Sequence, residues 1–271
     1  MNIAKQIFNS TFTIGFLIIC LSFSCNNEKK LIESGKIDAN NKYITLSSQL
    51  MNNVQNNEPT ESILETLAKV NPDTLASFLI TDNQKKAFWI NVYNAHIQIF
   101  LSQNPELFEN RGKYFSTKRI AIAQEELSFD DIEHGIIRSS KFKLALGLIR
   151  NPFAGEFEKK FRTRETDGRV HFALNCGAKS CPLVATYDAK NFDAKVDRVA
   201  KSFLNKMSNY DTSTNTLTTT TLFSWFRGDF GGKKGVLQLL KKYDIVPQNS
   251  KPAIEYSSYD WTLSLGNYYE E

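Results

Sequence analysis

The stretch Lys86–Leu101, KAFWINVYNAHIQIFL, decides the fold, because it is apolar nearly all the way round a helix. A helix without a polar face has to be surrounded by protein. The pattern therefore predicts a long helix at about Asn83–Ser102, buried at the centre of the domain. Its polar exceptions are Asn91, Asn94 and Gln98, whose three- and four-residue spacing places them on one helical stripe.

The amide stripe of this central helix has two interpretations. An unpaired buried amide costs on the order of 1–3 kcal/mol, so these side chains need partners inside the fold. They either hold loops in place through structural hydrogen bonds, or they line the floor of a pocket and orient a catalytic group.

The rest of the chain reads as more helices and a few short strands. Helices outnumber strands and do not alternate regularly with them, as a doubly wound sheet would require. The sequence predicts a helix-rich α+β single domain with a small antiparallel sheet or hairpin. Further helices are predicted at Tyr43–Val54, Thr60–Val70, after Pro72, Ser128–Ser139, Pro152–Phe161, Phe192–Met207 and Lys234–Tyr243, and strands at Arg119–Ala123, Leu217–Thr221 and Ala253–Tyr256.

The predicted helix Ser128–Ser139 begins well, because Ser128 and Asp131 have capping-box spacing. One face of this helix is apolar. The other carries three ionisable groups at four-residue spacing, namely Asp130, His134 and Arg138. Surface helices often carry such stripes, so we expect a solvated face.

The segment Val170–Pro182, VHFALNCGAKSCP, places His171 beside two cysteines. The alternation in Val170–Cys176 predicts a strand, and Gly177 predicts a turn into a second extended piece. If the two pieces pair as a hairpin, Cys176 and Cys181 lie opposite each other, near disulfide range. Outside the cytoplasm such a pair tends to oxidise, so a structural disulfide and a free nucleophilic thiol are both open.

The first 25 residues predict export to the cell envelope. The apolar run Ile14–Leu21 is too short to span a membrane and is followed by Cys25. This pattern resembles a bacterial lipoprotein signal, which implies lipidation of Cys25 and anchoring to a membrane; cleavage by an ordinary signal peptidase is the alternative. Asn26–Asn41 is polar and predicts a flexible tether. Residues 42–271 then form a single globular domain.

Charge and composition exclude several classes of partner. The formal net charge is +4, from 33 basic and 29 acidic residues, which is too small to favour nucleic-acid binding. The chain has no Gly-rich phosphate loop, and nothing in it calls for a cofactor.

Four segments together resemble the domain of unknown function 547 family. They are FWINVYNA (Phe88–Ala95), DIEHGIIR (Asp131–Arg138), GRVHFALNCGAKSCP (Gly168–Pro182) and YDWTLS (Tyr259–Ser264), in that order. The resemblance runs from about residue 80 to 264 and implies one family domain without an established activity. The family's motif positions fall here on Asn91, Tyr93, Asn94, Glu133, His134, Arg138, His171, Cys176, Ser180, Cys181, Trp225, Asp229 and Trp261. These signature blocks are expected to meet in space.

The first functional hypothesis is a thiol-dependent hydrolase or acyl transferase acting on amide or ester bonds. Cys181 is preferred to Cys176 as the nucleophile, because Cys176 shares its strand face with Phe172 and Leu174. The candidate catalytic residues are Cys181, Cys176, His171, His134, Glu133, Asn94, Asn91 and Arg138. The ligand would be a small molecule or a peptide of the peptidoglycan type.

Two other hypotheses compete with catalysis. A zinc site would use His171, Cys176, Cys181 and His134, although both gaps between the first three hold four residues, an unusual spacing. A non-catalytic envelope binding or scaffold domain would instead be stapled by a Cys176–Cys181 disulfide. Its ligand groove would be rimmed by aromatic residues, namely Trp225, Phe226, Tyr259 and Trp261.

Overall fold

The apolar helix lies at Asp82–Gln103 (α4) in the computed structural model, which describes residues 41–270. Thr81 caps it: the Thr81 hydroxyl accepts from the backbone N–H of Gln84, and the Gln84 side chain accepts from the backbone N–H of Thr81. Every residue from Gln84 to Gln98 is buried. The prediction of a central helix enclosed by protein is therefore confirmed.

Helices and short strands surround α4, and most begin and end within a few residues of the predicted positions. The helix Lys42–Asn56 (α1) packs most extensively against α4. The α-helices are α1 (Lys42–Asn56), α2 (Glu61–Lys69), α3 (Pro72–Phe78), α4, α5 (Arg111–Ser116), α6 (Glu156–Phe161), α7 (Phe192–Met207), α8 (Leu222–Trp225) and α9 (Gly232–Lys242). Two 3₁₀ helices lie at Pro105–Asn110 and Gly168–Phe172, and a π-helix lies at Asp131–Ile137.

The described residues also form two small sheets. Ile120–Ile122 (β1) and Glu125–Leu127 (β2) form an antiparallel hairpin. Asn209–Asp211 (β3), Thr216–Thr219 (β4) and Ala253–Tyr256 (β5) form the second sheet, antiparallel between β3 and β4 and parallel between β4 and β5. These elements confirm the helix-rich α+β class.

The core has two parts. The larger surrounds α4, and the smaller lies around Phe172, Phe223 and Phe230, where α7, β4 and α9 meet. None of the helices within residues 41–270 has the length and apolar character needed to span a bilayer. The predicted signal, residues 1–25 with the lipidation site Cys25, lies outside the described residues, as does the predicted tether apart from Asn41.

The predicted hairpin at Val170–Pro182 is wrong. Gly168–Phe172 is a 3₁₀ helix, started by the Asp167 side chain, which accepts from the backbone N–H of Arg169. Every residue from Val170 to Asn175 is buried, so the alternation of side chains there does not mark a half-exposed strand.

The residues that follow, Cys176–Cys181, are called the cysteine segment. Their backbone pairs with the C-terminal part of the chain rather than with a second strand of a hairpin. Ala178 forms a β-bridge with Leu263, and the backbone N–H of Lys179 donates to the carbonyl of Thr262 at 2.8 Å. Gly177 has φ +88°, the left-handed conformation that an L side chain rarely adopts. The chain bends at Gly177, and the hydrogen-bonded turn lies just after it, where the N–H of Cys181 donates to the carbonyl of Ala178 at 3.0 Å. The predicted strand pairing is not observed.

The helix predicted at Ser128–Ser139 has the expected start and an unexpected body. Ser128 and Asp131 form the reciprocal capping bonds, at 2.9 and 3.0 Å. Asp131–Ile137 is then a π-helix, in which the backbone N–H of Arg138 donates to the carbonyl of Glu133, five residues back. The expected solvated face is wrong, because His134 is 9% exposed and Arg138 is 0% exposed.

Candidate functional site

A cavity of about 310 Å³ opens where α4, the π-helix and the cysteine segment meet. Tyr93 reaches it from α4, Glu133 and His134 from the π-helix, and Cys176 and Cys181 from the cysteine segment. The full lining is Tyr93, Phe115, Asp130, Glu133, His134, Lys143, Leu144, His171, Leu174, Cys176, Cys181, Pro182, Leu222, Trp225, Phe226, Tyr259 and Trp261. Two histidines and two thiols thus share one cavity.

A buried chain of charged and polar groups connects the two histidines. The Nε of Arg138 donates to Oδ2 of Asp229 at 2.6 Å, and Nε2 of His171 lies 2.8 Å from the same oxygen. The Nη1 of Arg138 lies 2.7 Å from Nδ1 of His134. The side chains of Arg138 and Asp229 are both fully buried.

These contacts fix the tautomer of each imidazole. A guanidinium only donates, so Nδ1 of His134 accepts and its proton is on Nε2, 3.5 Å from Oδ1 of Asp130. The carboxylate of Asp229 accepts from His171, so the His171 proton is on Nε2 and the lone pair of a neutral ring is on Nδ1. Nδ1 is therefore the atom of His171 that can accept a proton.

The pKa values of His171 and Asp229 are both lowered, for different reasons. Burial lowers the pKa of His171, and the attraction of Asp229 only partly offsets it. Burial opposes ionisation of Asp229, but hydrogen bonds from His171 and Arg138 outweigh it and hold the pKa of that carboxyl below its usual range. The arrangement is therefore a neutral imidazole beside an ionised carboxylate. The ring of His171 also stacks on Phe226, with centroids 3.7 Å apart.

The two cysteines are free thiols linked through Tyr259 rather than through a disulfide. The backbone N–H of Cys176 donates to Sγ of Cys181 at 3.1 Å, and the hydroxyl of Tyr259 lies 3.1 Å from the same sulfur. That hydroxyl lies 3.5 Å from Sγ of Cys176. Of the two alternatives that the sequence left open, the Cys176–Cys181 disulfide is not formed in this structure.

The pKa values of the two thiols diverge. Burial disfavours the thiolate of Cys181, but hydrogen bonds from Cys176 and Tyr259 outweigh burial and lower its pKa. The hydrogen bond to Cys181, together with burial, raises the pKa of Cys176 well above its usual range. Burial and the nearby sulfurs raise the pKa of Tyr259, so its hydroxyl stays protonated and can donate. Cys181 is therefore the more acidic thiol.

The amide stripe of α4 holds backbone segments in place and does not line the cavity. The side chain of Asn94 donates to the carbonyl of Ala173 and accepts from the backbone N–H of Asn175, both at 2.9 Å. Asn91 makes the same two-way contact with the backbone of Tyr187, at 2.8 and 2.9 Å. Of the two interpretations, the structural network is the one observed for these residues. Asn94 fixes the segment that joins His171 to Cys176.

The remaining predicted residues fall around the imidazole of His134. Oε1 of Glu133 lies 3.5 Å from Nδ1 of His134, and Oε2 of Glu133 accepts from the hydroxyl of Tyr93 at 3.3 Å. Asp130 completes this group and is itself bound by Lys143 at 2.8 Å.

Sequence reasoning missed the role of two residues. Asp229 entered only as a family motif position, and Tyr259 only as an aromatic rim residue. Asp229 lies far along the chain from both groups that it binds, and the phenol that contacts the sulfurs carries no spacing signal. The sequence therefore offered only a family motif position for Asp229 and the segment YDWTLS for Tyr259.

Three aromatic side chains form one wall of the cavity. The rings of Trp225 and Trp261 are stacked, with centroids 5.9 Å apart, and Tyr259 lies 5.0 and 4.6 Å from them. Within the described part of the chain, no three His, Cys, Asp or Glu side chains are grouped so that they could hold a metal ion. The zinc hypothesis therefore has no support from the geometry.

Comparison with known proteins agrees with the resemblance seen in the sequence. No curated protein and no solved structure matched the chain. One family model matches residues 79–204. This range holds Tyr93, His134, His171 and both thiols, whereas Asp229 and Tyr259 lie beyond it. Residues 79–204 match the model of a family described as a protein of unknown function, DUF547, which supports this assignment for the domain that carries the histidines and the thiols.

Proposed function

We propose that the cavity is the active site of a thiol-dependent hydrolase or acyl transferase acting on amide or ester bonds. The observation that carries the proposal is the environment of Cys181. Its sulfur accepts hydrogen bonds from a backbone N–H and a phenol, each at 3.1 Å, in the cavity that also holds a neutral, carboxylate-bound His171. A thiol stabilised as thiolate beside an oriented imidazole is the combination that nucleophilic acyl transfer needs.

The reaction would proceed in two balanced steps. The Cys181 thiol loses its proton to Nδ1 of His171 and attacks the carbonyl carbon of the substrate. The new C–S bond replaces the C–N or C–O bond, and the imidazolium returns the proton to the departing amine or alcohol. Water, or an acceptor amine or alcohol, then attacks the thioester, and His171 accepts its proton as Cys181 leaves as the thiolate. The imidazolium finally returns that proton to Cys181. Among the described residues Cys181 and His171 share no hydrogen bond, so the substrate or a water between them carries the proton.

The surrounding groups would position this pair. Asp229 holds the tautomer of His171 and stabilises the imidazolium, the role of the carboxylate in a catalytic triad. Arg138 keeps Asp229 ionised and joins it to His134. Glu133 and His134 face the cavity and can bind polar groups of the substrate.

The aromatic wall favours a second candidate, a non-catalytic binding domain of the cell envelope. Stacked aromatic side chains bind planar or sugar ligands without chemistry, and Trp225 is 37% exposed at the cavity. Export to the envelope, through the sequence signal before Cys25, would give either activity a peptide or peptidoglycan-type ligand.

Acyl trapping distinguishes the two candidates. The full chain is incubated with p-nitrophenyl acetate, quenched in acid and mapped by peptide mass spectrometry. The enzyme proposal expects an acetyl group on Cys181, its slow release by water, and no such adduct in Cys181→Ala. Cys176→Ala is the matched control for the site of the adduct, because it keeps the backbone N–H that donates to Cys181. It also removes a side-chain hydrogen bond that lowers the pKa of Cys181, so the adduct should still form on Cys181 but more slowly than in the native chain. His171→Ala should slow both formation and release.

The negative results are equally specific. An acetyl group on Cys176, or the same rate of p-nitrophenol release in Cys181→Ala as in the native chain, would show that Cys181 is not the nucleophile. No cysteine adduct in a protein that binds soluble peptidoglycan fragments would favour the binding domain.

A further inference from the structure

The segment Lys141–Gly155, KFKLALGLIRNPFAG, joins the π-helix to α6 and displays apolar side chains to solvent. Leu144 is 92% exposed and Phe153 is 88% exposed, and Leu148 and Ile149 are more than half exposed. Phe142 and Leu146 are exposed as well. Single exposed apolar residues are ordinary, but a run of six in one segment marks an interaction surface. We call this segment the apolar loop.

The backbone of the apolar loop is tied down, so its side chains cannot fold back onto the core. Lys141 and Arg150 form an antiparallel bridge at its base, and the N–H of Phe142 donates to the carbonyl of Ile149 at 3.1 Å. Near its tip, the N–H of Gly228 donates to the carbonyl of Leu146 at 2.7 Å.

Gly147 shows how closely the loop packs on the site. A Cβ on Gly147 would lie 2.2 Å from Oδ1 of Asp229, so the loop backbone rests directly against the carboxylate that binds His171. The exposure of the apolar side chains is therefore a property of a fixed scaffold, which would lose little conformational entropy on docking.

The charges of the apolar loop indicate what it docks onto. It contains Lys141, Lys143 and Arg150 and no acidic residue, although Lys143 is ion-paired with Asp130 of the neighbouring helix. Apolar side chains flanked by basic ones fit the boundary between the acyl chains and anionic headgroups of a phospholipid bilayer. A protein partner would also need polar side chains for hydrogen bonding at the interface, and the tip of the loop, Leu144–Ile149, offers none.

We propose that the apolar loop docks into the surface of a phospholipid bilayer that contains anionic lipid. Leu144 and Lys143 also line the cavity, so docking brings the mouth of the cavity to the lipid surface. The inference stands on exposure, charge and backbone tethering, and it holds whether or not the cavity is catalytic.

The test places a tryptophan in the loop of the full chain, as Phe153→Trp and separately as Leu148→Trp. Vesicles of equal parts phosphatidylcholine and phosphatidylglycerol, with brominated acyl chains, quench indole only where it enters the bilayer. The matched control is Tyr256→Trp, at an exposed aromatic position in β5. All variants share one amino terminus, so any anchoring by it is common to them.

Docking predicts that the emission added by Phe153→Trp and Leu148→Trp shifts to the blue and is quenched by the brominated vesicles, while that of Tyr256→Trp is not. Equal quenching of loop and control, or none, would overturn the proposal. A blue shift without vesicles that grows with protein concentration would assign the loop to a second copy. A blue shift without vesicles at every concentration would assign it to another segment of this chain. Circular dichroism of each variant checks that it is folded.

Discussion

Removing the hydroxyl of Tyr259 should make Cys181 less acidic. The phenol lies 3.1 Å from Sγ of Cys181 and donates to the thiolate more strongly than to the thiol. A hydrogen bond to a charged group contributes about 1.5–3 kcal/mol, and each 1.4 kcal/mol is a factor of about ten in an equilibrium. Tyr259→Phe should therefore reduce the thiolate population, and with it the rate of alkylation at a pH below the pKa, roughly ten- to hundred-fold.

The assay is the rate of iodoacetamide alkylation across the pH range, followed separately on the Cys181 and Cys176 peptides by mass spectrometry. The sign follows from the chemistry: loss of a donor to the thiolate raises the pKa of Cys181, so the rate curve moves to higher pH. At a pH well above the pKa of Cys181 in either protein, the native chain and Tyr259→Phe should react alike, because Cys181 is then fully ionised in both.

Tyr93→Phe is the matched control for this experiment. Tyr93 lines the same cavity, but its hydroxyl donates to Glu133 rather than to a sulfur. The reasoning would be refuted by a Tyr259→Phe curve that superimposes on that of the native protein, or by an equal displacement in Tyr93→Phe. Faster alkylation of Cys176 than of Cys181 in the native protein would also contradict it.

Three further predictions concern stability. Asp229→Asn leaves the buried charge of Arg138 without its partner, so the free energy of unfolding measured in urea should fall by about 3–5 kcal/mol. The exposed control Asp260→Asn should change it little. Equal losses in the two variants would contradict this. Burial lowers the pKa of His96 to about 4 in the folded protein. On acidification the unfolded chain therefore binds a proton at this histidine before the folded protein does. The free energy of unfolding should fall by about 3 kcal/mol as the pH drops from about 6.5 to about 4. His96→Leu should remove that part of the pH dependence, and an unchanged slope would refute it. Asn94→Ala unpairs two buried backbone groups and should cost about 2–6 kcal/mol, whereas a loss under 1 kcal/mol would argue that the segment relaxes.

Helix positions could be predicted from this sequence because periodicity and caps are local signals. The predicted span Phe192–Met207 is the observed α7, and Ala253–Tyr256 is β5. The central helix follows from the same logic, since a segment that is apolar on all sides has few other places to lie.

The predictions were wrong where the backbone conformation is set by hydrogen bonds to residues far away in the sequence. A strand at Val170–Cys176 was predicted from alternation, but full burial of Val170–Asn175 removes the contrast between faces on which alternation depends. Asn94 instead binds the backbone of this segment, and the residues just after Cys176 bind the backbone of Thr262 and Leu263. All three partners lie far away in the sequence.

The prediction that the charged stripe of the π-helix is solvated was wrong for a related reason. Four-residue spacing with exposed ion pairs is the common case, so a solvated face was expected. Here Arg138 is drawn inward by Asp229, and one extra residue per turn lets the helix carry His134 and Arg138 on its buried side. The sequence shows both residues, but no local signal pairs Arg138 with the carboxylate of Asp229, 91 positions away, which binds it in the interior.

The buried pair of Arg138 and Asp229 has a function that stability does not explain. A buried ion pair often gains less from attraction than it loses in desolvation. In this pair Oδ1 of Asp229 and Nη2 of Arg138 have no hydrogen-bond partner among the described residues, which adds to the cost. What the pair does achieve is geometric, because it sets the tautomers of two imidazoles at one cavity. Asp229 and Tyr259 both follow the residues that match the family model, so the unit that orients His171 and the thiols extends at least to Tyr259.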